Sequence, residues 1–180
     1  MRREKGLSQV VTTLILLVVA VLLAAVVTYY ATNITMVRTE TEALQLSKAH
    51  VWVNETGAVA GFKIKNLGGK DILIDKFSTR GVEEDWDNVF YYRVPSDERV
   101  TGDINVTNPT TLTDGITIGS YDYNQSTDDI PLISGGELLV YVANPDNIQM
   151  DDLGTTVAIS VFTNNAQYIT EVNVESATPQ

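Results

Sequence analysis

The sequence predicts an α+β protein, a long N-terminal hydrophobic α-helix followed by a seven- or eight-stranded immunoglobulin-like β-sandwich. Three observations lead there. From Leu7 to Val37 no side chain carries a charge. Beyond His50 the apolar residues change from helical spacing to two-residue alternation. The alternating segments are short and separated by turn residues, as in two packed sheets.

The helix comes first. From Val10 to Val27 only Thr12 and Thr13 interrupt the apolar character, and threonine hydroxyls can bond back to helix carbonyls. At about 1.5 Å per residue, Leu7 to Tyr30 makes a helix of roughly 36 Å, enough to cross about 30 Å of hydrocarbon. Arg2, Arg3 and Lys5 stand directly before it, so the positive-inside bias holds the N-terminus in the cytoplasm and sends the chain after Tyr30 outward. A cleaved secretory signal would carry a shorter apolar core and a small-residue site. Ala24-Ala25 offers such a site, but the apolar run continues through Val26 and Val27 to Tyr30.

Met36 to Ala49 still reads as helix, with Val37, Leu44 and Leu46 among Glu40, Glu42 and Lys48. A helix over 7–49 would reach on the order of 60 Å, well past one bilayer. A rod whose first half is apolar all round is buried by lipid or by copies of itself. Val10, Val11, Leu14, Ile15, Leu17, Val18, Val21, Leu22 and Ala25 are the residues expected to pack such a bundle. Bringing Arg2, Arg3 and Lys5 into it unpaired would be costly, so loss of those charges is the expected switch from membrane to assembly. A plain single-pass anchor is the other reading.

The junction Lys5-Gly6-Leu7-Ser8 adds a resemblance. A short basic leader ending in Lys-Gly before an uncharged helix resembles the class III signal peptide of archaeal type IV pilins and archaellins. The resemblance implies cleavage between Gly6 and Leu7 by a prepilin-type signal peptidase, with the helix kept on the mature chain. It divides the chain into a leader (1–6), a filament-core helix (7–49) and an extracellular β domain (50–180). It further implies a helical homopolymer at the cell surface, served by an assembly ATPase and a membrane platform protein. Bacterial type IV pilins carry Glu where this chain has Val11, which favours the archaeal branch. Archaellins usually have glycines early in the helix, whereas none occurs here between Gly6 and Gly57. The expected function is therefore an adhesive pilus-like filament, with an archaellum for motility and a membrane-anchored surface binding protein as alternatives.

Composition fits an exported domain. The 180 residues contain no cysteine and carry a formal charge of −11. Loss of Arg2, Arg3, Glu4 and Lys5 removes a net +2 and leaves −13, which repels nucleic acid and anionic lipid alike.

The β region reads in order as follows. Val51–Val53 and Ala58–Asn66 pair across the turn Asn54-Glu55-Thr56-Gly57. A second turn, 66–71, leads to Ile72–Phe77, and Val89–Val94 follows. From there to about Gly136 the chain is rich in turn residues, with Ile116–Ile118 and Ile130–Ile133 strand-like within it. Glu137–Ala143, Thr155–Thr163 and Gln167–Val174 close the domain, the last two joined by a short hairpin at 164–166. This closing pattern is similar to the C-terminal β domain of archaellins and archaeal pilins.

Catalytic parts are scarce. One histidine, no cysteine and no Gly-x-Ser-x-Gly leave nucleophilic catalysis without its usual groups, so neither enzyme activity nor a cofactor is expected. His50 reads as a junction residue between helix and first strand. Asp122, Asn124, Ser126 and Asp128 have the alternate spacing of a calcium loop, but Thr127 replaces its glycine and Ile133 its closing glutamate. A solvated acidic loop explains the same residues. Four Asn-x-Ser/Thr sequons, at Asn33, Asn54, Asn105 and Asn124, are candidate N-glycosylation sites, and the loop-rich positions Asn105 and Asn124 are favoured. Phe90-Tyr91-Tyr92 with Trp86 reads either as core packing or as an adhesive surface.

Overall fold

The computed structural model describes residues 2–177, with side chains for 7–37 and 41–177. It divides into two compact units, residues 1–40 and 41–180. The first is one helix, α1 (Arg2–Glu40). The second contains β1 (Leu44–Asn54), β2 (Gly57–Asn66), β3 (Ile72–Thr79), β4 (Val82–Glu83), β5 (Val89–Val94), β6 (Ile116–Ile118), β7 (Tyr121–Gln125), β8 (Ile130–Leu132), β9 (Glu137–Ala143), β10 (Thr156–Thr163) and β11 (Gln167–Ser176). The class is α+β.

Two expectations are corrected. The helix ends at Glu40, not Ala49, and Leu44–Ala49 is the first half of β1. Leu44 and Leu46 alternate with Gln45 and Ser47, and both leucines pack on the main core with Ala49. Their two-residue spacing, backed by tertiary partners, overrides good helix formers. Glu42 is also engaged, accepting from the Thr163 hydroxyl and from Asn165 Nδ2 at 2.9 Å. The second correction is the strand count, eleven rather than seven or eight. β4 lies in the unassigned stretch between Phe77 and Val89, and β7 in the turn-rich stretch after Val94, although Tyr121-Asp122-Tyr123-Asn124 alternates as a strand should.

All eleven strands belong to one hydrogen-bonded sheet in the order β4-β3-β10-β11-β1-β2-β9-β5-β7-β6, with β8 beside β3. β1 and β11 are parallel, and the other pairs are antiparallel. The sheet rolls over on itself. β10, β11 and β1 lie between β3 and β2 in this order, so in a flat sheet those two would be roughly 19 Å apart at about 4.8 Å per strand. Instead Phe62 of β2 and Phe77 of β3 meet edge to face, ring centroids 5.6 Å apart.

The roll encloses a first core, containing Val51, Phe62, Ile74, Val140 and Ile159. A second core lies on the opposite face of β1, β2, β9 and β5 and holds Trp52, Phe90, Leu139 and Tyr141, with Val100, Ile104 and Leu112 from the stretch after β5. This accounts for the nearly unbroken apolar run of β9. Leu138, Val140 and Val142 enter the first core, and Leu139, Tyr141 and Ala143 the second. The turn-rich stretch is thus a cover for one sheet face. Asn66, fully buried, organises the turn before β3: its Nδ2 donates to the Lys70 and Ile133 carbonyls at 2.8 and 3.1 Å, and its Oδ1 accepts from Gly68 N at 2.9 Å.

Candidate functional site

The dominant surface feature is the helix. Between Leu7 and Val37 its mean hydropathy peaks at 3.2 and no part of that apolar window is buried. Leu14, Ile15, Leu17, Val18, Val21 and Leu22 are all exposed, as are Val10, Val11 and Ala25. Its threonine hydroxyls are satisfied internally. Thr12 donates to Ser8 O at 2.9 Å, Thr28 to Ala24 O at 2.8 Å, and Thr32 to Thr28 O at 2.7 Å. With backbone and threonine hydroxyl groups paired inside the helix, an apolar environment costs this segment little. Leu7–Val37 is 31 residues, about 46 Å, against the roughly 30 Å a bilayer core requires. Its apolar surface outlasts a single crossing. At the junction where cleavage is expected, Lys5 and Gly6 lie outside the residues whose side chains are described, while Leu7 is exposed.

The calcium-like spacing does not form a loop. Asp122 and Asn124 are exposed residues of β7, in ladder with β6 and β5. Extended backbone separates same-face positions by about 7 Å, whereas ligands of one calcium ion converge at about 2.5 Å from it. Asp122 Oδ1 accepts from the Thr117 hydroxyl at 2.6 Å, and buried Ser126 donates to the Asp128 carbonyl at 2.8 Å. Among the described residues no group of three or more His, Cys, Asp or Glu gathers to hold a metal.

The sequons are dispersed. Asn33 is exposed on α1, Asn105 on the stretch after β5 and Asn124 on β7. Asn54 is half-buried, its Oδ1 accepting from Thr56 N at 2.9 Å and Gly57 N at 3.1 Å, which closes the β1–β2 turn. The aromatic group packs inward: Phe90 is buried in the second core, and Trp86 meets Phe77 edge to face at 5.7 Å against the first.

His50 is within β1 rather than at a helix–strand junction. Its ring stacks on Trp52 at 5.2 Å, with Nε2 3.2 Å from Asp103 Oδ1 and Nδ1 3.5 Å from Glu175 Oε2. Burial opposes ionisation of Asp103, but the Ile104 N–H and His50 outweigh it and hold the carboxyl below its usual range. The arrangement ties β1 to the stretch after β5 and to β11, which pairs with it.

Sequence reasoning missed a cavity of about 440 Å³ walled by Lys65, Arg93 and Arg99. Lys65 is remote in sequence from Arg93 and Arg99, and no motif joins the three. In the cavity lining Glu137 bridges Lys63 at 2.6 Å and Lys65 at 2.7 Å. Burial would raise the Glu137 carboxyl, but the two ammonium groups prevail and hold it low.

No family model matches the chain, and no curated protein matches it. Among solved structures it is similar to the ligand binding region of Serine-glutamate repeat protein A (SgrA) of Enterococcus faecium, 14% identical over 78% of this chain and 100% of that one, with a TM-score of 0.34. It is also similar to GH20 Exo beta-N-Acetylglucosaminidase from Vibrio harveyi, 14% identical over 77% of this chain and 19% of that one, with a TM-score of 0.21. Neither likeness carries an argument. A long apolar N-terminal helix followed by a β-sheet domain fits a pilin-like layout, and the helix is consistent with a membrane-inserted or signal-anchored protein.

Proposed function

We propose that the chain is a structural subunit of an extracellular, archaeal type IV pilus-like filament used in surface attachment. The observation that carries this reading is the exposed, uncharged helix, longer than one bilayer crossing and preceded by a basic leader ending at Lys5-Gly6. The precursor inserts with Arg2, Arg3 and Lys5 in the cytoplasm. A prepilin-type signal peptidase cuts after Gly6, and the freed helices exchange lipid for one another. An assembly ATPase and a membrane platform protein drive the stacking. The acidic β domain, an immunoglobulin-like outline enlarged by short strands, forms the outer sheath, with glycans on exposed Asn105 and Asn124. In this reading the subunit is non-catalytic, needs no cofactor and binds no nucleic acid.

Mass spectrometry of the N-terminal peptide from surface material tests the reading. A chain starting at Leu7 supports it, and one that keeps Arg2 and Arg3 sinks it in favour of a single-pass surface protein. A soluble chain starting just after Ala25 sinks it in favour of a secreted binding module.

A further inference from the structure

Charge is unevenly spread over the β domain. The chain has 23 Asp and Glu against 12 Lys and Arg, yet Lys65, Arg93 and Arg99 wall one cavity of about 440 Å³. Two carboxylates also line it, Glu98 and Glu137. Glu137 is occupied by Lys63 and Lys65, and Glu98 accepts from the Tyr92 hydroxyl at 3.3 Å. Neither forms an ion pair with an arginine. Arg93 donates from Nη1 to the neutral Pro131 carbonyl at 2.7 Å, and Arg99 has no hydrogen bond or ion pair among the described residues. Lys65, Arg93 and Arg99 outnumber the two lining carboxylates, and with Glu137 already shared by two ammonium groups the excess of positive charge biases the cavity towards an anion.

The surroundings are prepared rather than loose. Arg93 lies on β5, and Arg99 follows a turn closed by Glu98 N donating to Pro95 O at 3.0 Å. Beyond Arg99, Lys48 and Lys63 both donate to the Val100 carbonyl at 3.4 Å, and Lys48 also donates to Gly102 O. The lining adds buried apolar Val94 and Leu132 and exposed Ser96. A fork of guanidinium donors matches a planar carboxylate, whose two oxygens accept in parallel. The apolar lining favours an organic body over a bare inorganic ion, and the volume falls in the small-molecule range. We propose that this cavity binds a small organic carboxylate of about the size of one acidic sugar. The site stands independently of the filament reading.

Calorimetric titration of the full chain in non-ionic detergent tests this, with sodium glucuronate as probe and glucose and inorganic phosphate as controls. Glucuronate is expected to bind saturably and at least about tenfold more tightly than either control, with affinity falling as salt rises. Arg99→Gln should weaken it about tenfold while leaving the unfolding curve in place, because Arg99 is exposed and has no partner to lose. Arg93→Gln should weaken it comparably. The proposal is overturned by no saturable heat up to about 20 mM glucuronate, by phosphate binding as tightly, or by unchanged affinity in Arg99→Gln.

Discussion

Gly68 runs so close to Thr41 that a Cβ on it would lie 2.4 Å from the Thr41 carbonyl oxygen and 2.9 Å from Ala43 N. The same approach lets Leu67 N and Gly68 N donate to Ala43 O at 2.8 and 3.2 Å. The segment before β1 is therefore pinned by backbone, with no flexible side chain available to yield. Gly68→Ala is expected to destabilise the β domain by about 1–3 kcal/mol, the usual cost of overpacking. Urea unfolding followed by tryptophan fluorescence checks this, and an unchanged midpoint would contradict it.

Glu137 faces Lys63 with side chains only 12% and 11% exposed. Glu137→Gln leaves a largely buried ammonium without its counter-charge, so a loss on the order of 2–4 kcal/mol is expected. The carboxyl is held below its ordinary value, so its stabilising contribution is present above the unfolded value and is lost as pH falls through the folded one. The gap between wild type and variant should accordingly shrink below about pH 4. A gap that widens in acid would contradict the pairing.

Glu84 behaves in the opposite sense. It is 5% exposed and its Oε1 lacks a hydrogen-bond partner. Burial, reinforced by the charges of Asp146 and Asp85, pushes its carboxyl from the ordinary 4.5 up to about 7, against hydrogen bonds from Thr79 and the Asp146 backbone. Because the folded value is raised, the contribution is complete below the unfolded value and disappears as pH rises through about 7. Glu84→Gln stays neutral, so between about pH 4 and pH 8 it should gain on the order of 3 kcal/mol relative to wild type. Denaturant midpoints at the two pH values measure that gain, and a pH-independent difference would refute it.

Tyr141 donates from its buried hydroxyl to Asn105 O at 2.6 Å and meets Tyr123 edge to face at 5.0 Å. Burial pushes its phenol above the ordinary value. Tyr141→Phe orphans the Asn105 carbonyl, and a loss of about 1–2 kcal/mol is expected. Faster amide exchange around 104–106 should accompany it, and unaltered exchange there would show that the bond does not hold this segment.

Where the residues declare their partners locally, the sequence was informative. β9 is legible to the residue because both its faces are buried and every position from Leu138 to Ala143 is apolar, and β5 because Val89-Phe90-Tyr91-Tyr92 is a run of β-branched and aromatic residues. The helix was legible because an uncharged run of that length has few other fates. Its end was not. Leu44–Ala49 contains good helix formers, and the strand is decided by Asn66, Gly68 and Thr163, remote in sequence. β7 was obscured by Asp122 and Asn124, whose polarity suits an exposed strand face as well as a loop. The arginine cavity depends on the folding of β5 and the loop before β9, which no spacing encodes.

The central claim is that copies of the helix meet one another outside the cell, and the absence of native cysteine permits a direct measurement. A single Val18→Cys substitution can be bridged by a bifunctional maleimide only to a second copy, and packed helices bring their axes to about 8–10 Å. Surface material carrying Val18→Cys should give a cross-linked dimer, the largest product one thiol per subunit allows, while Thr56→Cys, on an exposed turn of the β domain, should stay monomeric. Monomers alone from Val18→Cys would contradict the account.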